Sequence, residues 1–251
     1  MKLIERSLGF IRKKGVVDFF RVGWNYFDLK LNFLRFFEYL SLVGEVKLLM
    51  SENRQGEAVD KLFDFKYLSP GQIKSEFECL LKVIEKLNPK NIFEIGTSNG
   101  GSLFLLAQFS DPSAKVVSID LPGGGFGGGY PFWKKHIYAR FGRSEQELIL
   151  IRGDSHSDKV LSQVKEIFAD KAVDFLFIDA DHTYEGVKRD FETYAPFVRK
   201  GGVVAFHDVA LPPDDAYGTN KFWLEIKDQL RTQEFVENRS QKGYGIGIIF
   251  K

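Results

Sequence analysis

Apolar and polar positions divide the chain into two unlike parts. From residue 69 onward, short apolar runs alternate with amphipathic stretches. The runs near 91–95, 115–119, 148–152, 173–178 and 202–206 have the length and apolar content of buried parallel strands. The stretches near 100–109, 157–168, 183–198 and 218–231 repeat apolar residues at helical steps. This alternation predicts an α/β fold, a doubly wound, mostly parallel sheet wrapped by helices on both faces. Segments 234–238 and 245–250 read as two successive strands, an antiparallel hairpin closing one edge. Ser69-Pro70-Gly71-Gln72 predicts a helix start, with Ser69 as N-cap, Pro70 at the first helical position and Gln72 completing a capping box. Ile73, Phe77, Leu80, Leu81, Ile84 and Leu87 would form its buried stripe. Gly201-Gly202 would stop the helix before the fifth strand.

Residues 1–68 read as a separate N-terminal helical extension, and 69–251 as the main domain. Within 1–50 stand ten aromatics, with nine Lys/Arg against five Asp/Glu. Phe19, Phe20, Trp24, Phe27, Leu31, Leu34 and Phe37 fall mostly at three- and four-residue steps, so one or two amphipathic helices are expected. Two roles fit: a helical cap or dimer surface, or a basic, aromatic helix lying on a membrane surface. Asp18, Asp28 and Glu38 weigh against the second. Residues 51–68 are polar and mixed, and read as a connection.

Composition narrows the classes. The 251 residues carry a net charge of +1, which gives no reason to expect a nucleic-acid partner. One cysteine, Cys79, excludes an intramolecular disulfide framework and fits a reducing, cytoplasmic setting. No apolar run approaches the roughly 18–20 residues of a membrane span. The segment MKLIERSLGFIRKKG lacks the apolar core of a signal peptide.

Chemistry concentrates in three places. The first is IFEIGTSNGGSLFLLAQFSDPSAKVVSID, residues 92–120. It reads as a strand, a glycine-containing turn, a helix, and a second strand ending in Asp120. The turn lets backbone approach a ligand, the helix start offers free N–H groups, and Asp120 can accept from a ribose diol. A dinucleotide fingerprint would be G-x-G-x-x-G. Here Glu94-x-Gly96-x-x-x-Gly100-x-Ser102 places an acid before the first glycine. That suits S-adenosylmethionine, which has no phosphate but carries a sulfonium and an ammonium. Glu94, Gly96, Thr97, Gly100, Ser102 and Asp120 are therefore candidate cofactor residues. Asp154 and Ser155, in RGDSHS, could accept from and donate to the adenine. Ser155 could equally cap helix 157–168.

The second place pairs two apolar strands with polar ends. Residues 175–178 lead into Asp179, Asp181 and His182, and residues 203–206 lead into His207-Asp208. If these strands are neighbours, Asp179, His207 and Asp208 converge. One imidazole and two carboxylates suit a divalent cation, Mg²⁺ first. Asp179 is also a candidate cofactor residue. The third place is 123–133, six glycines followed by Tyr130, Phe132 and Trp133, which reads as a lid.

The pattern from Glu94 to Ser102 resembles the first motif of catechol O-methyltransferase and its relatives. The segments IDADHTYEGVKRDFETYAPFVRKGGVVAFHDV and SIDLPGGGFGGGYPFW resemble class I S-adenosylmethionine-dependent methyltransferases, in particular metal-dependent sugar O-methyltransferases of the macrocin type and cephalosporin hydroxylase-like proteins. The resemblance covers about residues 70–251. It implies a Rossmann-like sheet, an O-methyltransferase activity assisted by a metal at Asp179, His207 and Asp208, and a sugar or polyol hydroxyl as acceptor. His207-Asp208 stands where those enzymes more usually have Asp-Asn or Asp-Asp. Asp181 would be the general base, because the sugar enzymes carry an acid two residues after the metal aspartate, and His182 is the alternative. Two other functions remain to be separated from this one, an NAD-dependent oxidoreductase and a non-catalytic membrane-associated module. A homo-oligomer is compatible with each.

Overall fold

The computed structural model describes residues 36–50, 55–123, 129–169 and 172–251. The expectations for residues 1–35, and for the centre of the glycine-rich segment at 124–128, lie outside the described residues. Three helices come first: α1 (Phe36–Met50), α2 (Gln55–Asp64) and α3 (Lys74–Leu87). Strands and helices then alternate through β1 (Asn91–Ile95), α4 (Gly101–Phe109), β2 (Lys115–Asp120), α5 (Phe132–Tyr138), β3 (Glu147–Arg152), α6 (Asp158–Ile167), β4 (Val173–Ile178), α7 (Tyr184–Tyr194) and β5 (Val198–His207). The chain ends in α8 (Thr219–Ile226), β6 (Thr232–Phe235) and β7 (Ile246–Phe250).

The strands form one seven-stranded sheet in the order β3-β2-β1-β4-β5-β7-β6. The first five are parallel, and β7 runs antiparallel between β5 and β6. The expected doubly wound, Rossmann-like architecture is therefore the one observed, with its antiparallel hairpin at one side. Successive strand residues face opposite layers. Ile92, Val116, Phe175 and Phe177 join the core beneath α1–α5. Phe93, Val117, Leu176 and Ile178 join the core beneath α6–α8. Strand order reverses between β1 and β4, and their carboxyl ends open a crevice of the kind where α/β sheets bind ligands.

Several local expectations are corrected. The helix after Ser69 starts at Lys74, and its N-cap position, Ile73, makes no side-chain cap bond. Ser69 Oγ instead donates to the Phe63 carbonyl. Residues 68–70 press on Gly101, where a Cβ would stand 2.6 Å from the Pro70 nitrogen. This contact keeps the segment extended past its own capping signal. Residues 51–68 are more than a connection, since they contain α2, with Ala58, Val59 and Leu62 buried. Ser157, rather than Ser155, caps α6, accepting from Val160 N–H. Gly201-Gly202 does not stop a helix. α7 ends at Tyr194, a short 3₁₀ turn follows, and both glycines lie inside β5 beside a register shift against β4.

Among the described residues, no helix is long and apolar enough to cross a membrane. α1 is packed through Leu42, Val46 and Leu49, which share one core with α3 and α4. Glu38 of α1 also pairs with the buried Lys134 of α5 at 3.1 Å. A helix docked this way is part of the domain's core. Leu42 is fully buried. Leu42→Ala should therefore lower unfolding free energy by about 2–4 kcal/mol, the usual cost of a core cavity. Urea denaturation measures it, and an unchanged midpoint would mean that α1 is peripheral.

Candidate functional site

A cavity of about 790 Å³ opens at the carboxyl ends of β1, β2, β4 and β5. Twelve of the thirteen residues singled out in the sequence line it: Gly96, Thr97, Gly100, Ser102, Asp120, Asp154, Ser155, Asp179, Asp181, His182, His207 and Asp208. Glu94 does not reach it and lies directly behind the turn.

The turn is built by close approach. Gly96 has φ +104°, and a Cβ there would overlap the Asp179 carbonyl oxygen. Its N–H donates to the Ile119 carbonyl at 2.8 Å, and Asp179 N–H donates to the Ile95 carbonyl at 2.8 Å. Three strand ends are thus tied at one point. Asp120 stitches the turn from the other side. Its Oδ2 accepts from Thr97 and Ser98 N–H at 3.0 and 2.6 Å, and its Oδ1 from Leu121 N–H. Burial pushes its carboxyl up to about 6, against the opposing pull of these amides. Asp120 therefore organises the turn, as well as standing at the edge expected for a ribose.

Glu94 is fully buried. Its Oε2 accepts from Ser118 Oγ at 2.6 Å, and Ser118 in turn meets Thr97 Oγ1. Its other oxygen has no hydrogen-bond partner. Burial raises its pKa to about 8.

The other half of the cavity holds four charge-bearing groups. His207 Nδ1 lies 3.0 Å from Asp179 Oδ1 and 3.5 Å from Asp208 Oδ1. His182 Nδ1 lies 2.8 Å from Asp208 Oδ2. Gln72 Nε2 donates to Asp179 Oδ2, and Tyr244 N–H donates to Asp208 Oδ1 at 2.7 Å. Burial disfavours a charged His207, but Asp179 and Asp208 outweigh it and lift its pKa to about 9. Burial likewise opposes charge on His182, and Asp208 overcomes it, so its pKa is raised. Asp208 is held below the ordinary carboxylate range, since the two histidines outweigh its burial.

Asp179, His207 and Asp208 do converge, as expected, but they converge on one another. All four carboxylate oxygens already accept a hydrogen bond or face an imidazole nitrogen. Among the described residues, no group of three or more His, Cys, Asp or Glu side chains is placed to hold a metal ion. The donor set does not fit a divalent cation.

Asp181 is turned toward its own helix. Its Oδ1 accepts from Thr183 N–H at 3.0 Å, and its carboxylate covers Gly186, where a Cβ would overlap it. Thr183 caps α7 through Gly186 N–H. Residues that sequence reasoning missed complete the wall: Gln72, His156, Tyr217, Lys242 and Tyr244. His156 is paired at 3.2 Å with Asp190, a fully buried carboxylate on α7. That pairing raises the His156 pKa. Gln72 was spent on a capping box in the sequence reading. The one local signal for Tyr244 was its place between two glycines.

Residues 93–209 match the family described as "Methyltransferase domain". An uncharacterised protein y4gI of Sinorhizobium fredii is 29% identical over 171 residues, 67% of this chain and 18% of that protein. Catechol O-methyltransferase B of Danio rerio is 27% identical over 143 residues, 56% of this chain and 50% of that protein. The matched stretches thus span only part of both relatives. The fold is shared with an O-methyltransferase from Bacillus cereus, at TM-score 0.52 and 19% identity, covering 83% of this chain and 91% of that one.

The Glu94 pKa gives a stability test. A buried acid whose pKa rises from 4.5 to about 8 contributes stability while protonated, and that stability is lost as pH rises toward 8. Glu94→Gln keeps the shape without a proton to lose. Thermal melts should show the wild type falling relative to Glu94→Gln as pH rises from about 5 to 8. Parallel curves would mean that Glu94 stays ionised.

Proposed function

With a methyltransferase domain at residues 93–209, we propose that this chain transfers a methyl group from S-adenosylmethionine to a hydroxyl of a small molecule, a sugar or another small polyol. One observation carries the reading. The Gly96–Gly100 turn and the His182–Asp208 pair open into the same cavity, so a nucleoside-binding half faces a proton-accepting half. The Bacillus cereus enzyme of the same fold is in complex with S-adenosylhomocysteine, and the Danio rerio relative is named for a hydroxyl acceptor. Neither the NAD-dependent oxidoreductase nor the non-catalytic module gains support from these relatives.

Bound S-adenosylmethionine supplies a methyl on a sulfonium. The acceptor oxygen forms the new C–O bond as the S–CH₃ bond breaks, leaving S-adenosylhomocysteine. The chain's own residues divide the remaining work. Gly96, Thr97, Gly100 and Ser102 set the turn, Glu94 braces it from behind through Ser118 and Thr97, and Asp120 stands at the ribose edge. Asp154 and Ser155 border the adenine side. His182 takes the acceptor proton, with Asp208 fixing its ring through Nδ1. Asp181 holds the start of α7, which places His182. No step is routed through a divalent cation, because Asp179, His207 and Asp208 already satisfy one another.

Labelled methyl transfer to candidate hydroxyl acceptors tests the reading. His182→Ala should lower kcat by about 10²–10⁴-fold, the range for a lost general base, with cofactor affinity unchanged. Asp181→Asn showing that loss instead would move the base to Asp181. Turnover should persist in EDTA, with metal content checked by elemental analysis. Loss restored by Mg²⁺ would reinstate the cation. Asp120→Ala should weaken S-adenosylmethionine by about 1.5–3 kcal/mol in calorimetry. Preferential binding of NAD would overturn the methyltransferase reading.

A further inference from the structure

The acceptor end of the cavity contains a side chain whose backbone conformation argues for it. Tyr244 has φ +62° and stands between Gly243 at +78° and Gly245 at +80°. Three consecutive left-handed residues favour glycine or asparagine at the centre, and a bulky residue there is an outlier. If only the turn mattered, a third glycine would serve it better. The conformation is nonetheless fixed. Tyr244 N–H donates to Asp208, itself left-handed at +61°, and the Tyr244 carbonyl accepts from Ala210 N–H at 3.0 Å. The ring lies edge-on to His207 at 6.0 Å and is 43% exposed along the cavity wall.

A second tyrosine lines the same end. Tyr217 lies over His182, with centroids 5.3 Å apart and planes at 33°. Its position is set by Gly218, whose N–H donates to the His182 carbonyl and whose missing Cβ makes room for the Tyr184 backbone. Burial, helped by Asp208, Asp214 and Tyr244, raises the pKa of the Tyr217 phenol, and both tyrosines line the same cavity.

We infer that Tyr217 and Tyr244 form an aromatic clamp that holds the acceptor as a ring, presenting one of its hydroxyls to His182. This rests on the methyltransferase reading of the same cavity. A rigid ring has a flat face that two aromatic surfaces can cover, whereas an open-chain polyol must lose internal freedom to lie there. The strained backbone at Tyr244 is the cost of holding that surface.

The test uses the full chain and three probes, methyl α-D-glucopyranoside, catechol and open-chain sorbitol, titrated by saturation-transfer NMR with and without S-adenosylhomocysteine. A ring probe should bind more tightly than sorbitol, and the tighter of the two rings names the ring type. Tyr244→Gly should keep or raise the melting temperature and keep S-adenosylhomocysteine affinity, yet weaken the ring probe by about tenfold. Tyr244→Phe should retain it, and Tyr217→Ala should weaken it without Tyr244→Gly's gain in stability. Ring binding unchanged in Tyr244→Gly, sorbitol bound as tightly as the rings, or no ring bound by the wild type would each overturn the clamp. Wild-type protein that holds a ring but no S-adenosylhomocysteine would overturn the methyltransferase reading instead.

Discussion

The structure depends on a backbone contact at the sheet's switch point. Gly96 leaves β1 at φ +104° and passes so close to the Asp179 carbonyl that no side chain fits between them. The same residue donates to Ile119 at the end of β2, and Asp179 donates to Ile95 at the end of β1. This packing holds the ends of β1, β2 and β4 in register just where strand order reverses. Everything the cavity offers hangs from those ends: the turn amides, Asp120, and the polar run after β4. A substitution at Gly96 would move both halves of the site at once.

A second constraint acts across β4 and β5. Four ionisable groups, the buried His207 and Asp208 and the half-buried Asp179 and His182, lose much of their hydration together and make it up through one another, helped by Gln72 and the Tyr244 amide. Removing one partner from such a cluster leaves an unpaired buried charge, typically at a cost of about 3–5 kcal/mol. The cluster therefore fixes ring orientation. Asp208 orients His182, and the bond it accepts from the Tyr244 amide ties that pair to the wall that carries Tyr244. Glu94, on the opposite side of the turn, has only hydroxyl partners, and burial outweighs them in holding its proton.

The sequence was most informative where local pattern and tertiary demand agree. Phe175-Leu176-Phe177-Ile178 could only be a strand covered on both faces, and it is. Glu94-x-Gly96-x-x-x-Gly100 marked a ligand turn because glycine spacing reports backbone geometry directly. Capping signals were less reliable. Ser69 and Gln72 satisfy the local rule for a helix start, yet the chain there is drawn over Gly101 and Gln72 reaches Asp179 across 107 residues. Local preference amounts to about 1 kcal/mol, which tertiary packing readily exceeds.

By itself, then, the sequence determined the parallel sheet, the order of its strands along the chain, and all of the cavity's carboxylates, because hydrophobic period and strand-end placement are local properties. Only the tertiary structure decided what those residues do to each other. That Asp179, His207 and Asp208 pair among themselves, that Asp181 faces its own helix while His182 faces Asp208, and that Tyr217 and Tyr244 line the same cavity are facts of distance between segments far apart in the chain. Residue spacing can bring such groups to the same strand ends, but hydrogen-bond partners are chosen by ångström-scale geometry, and that geometry exists only once the sheet has formed.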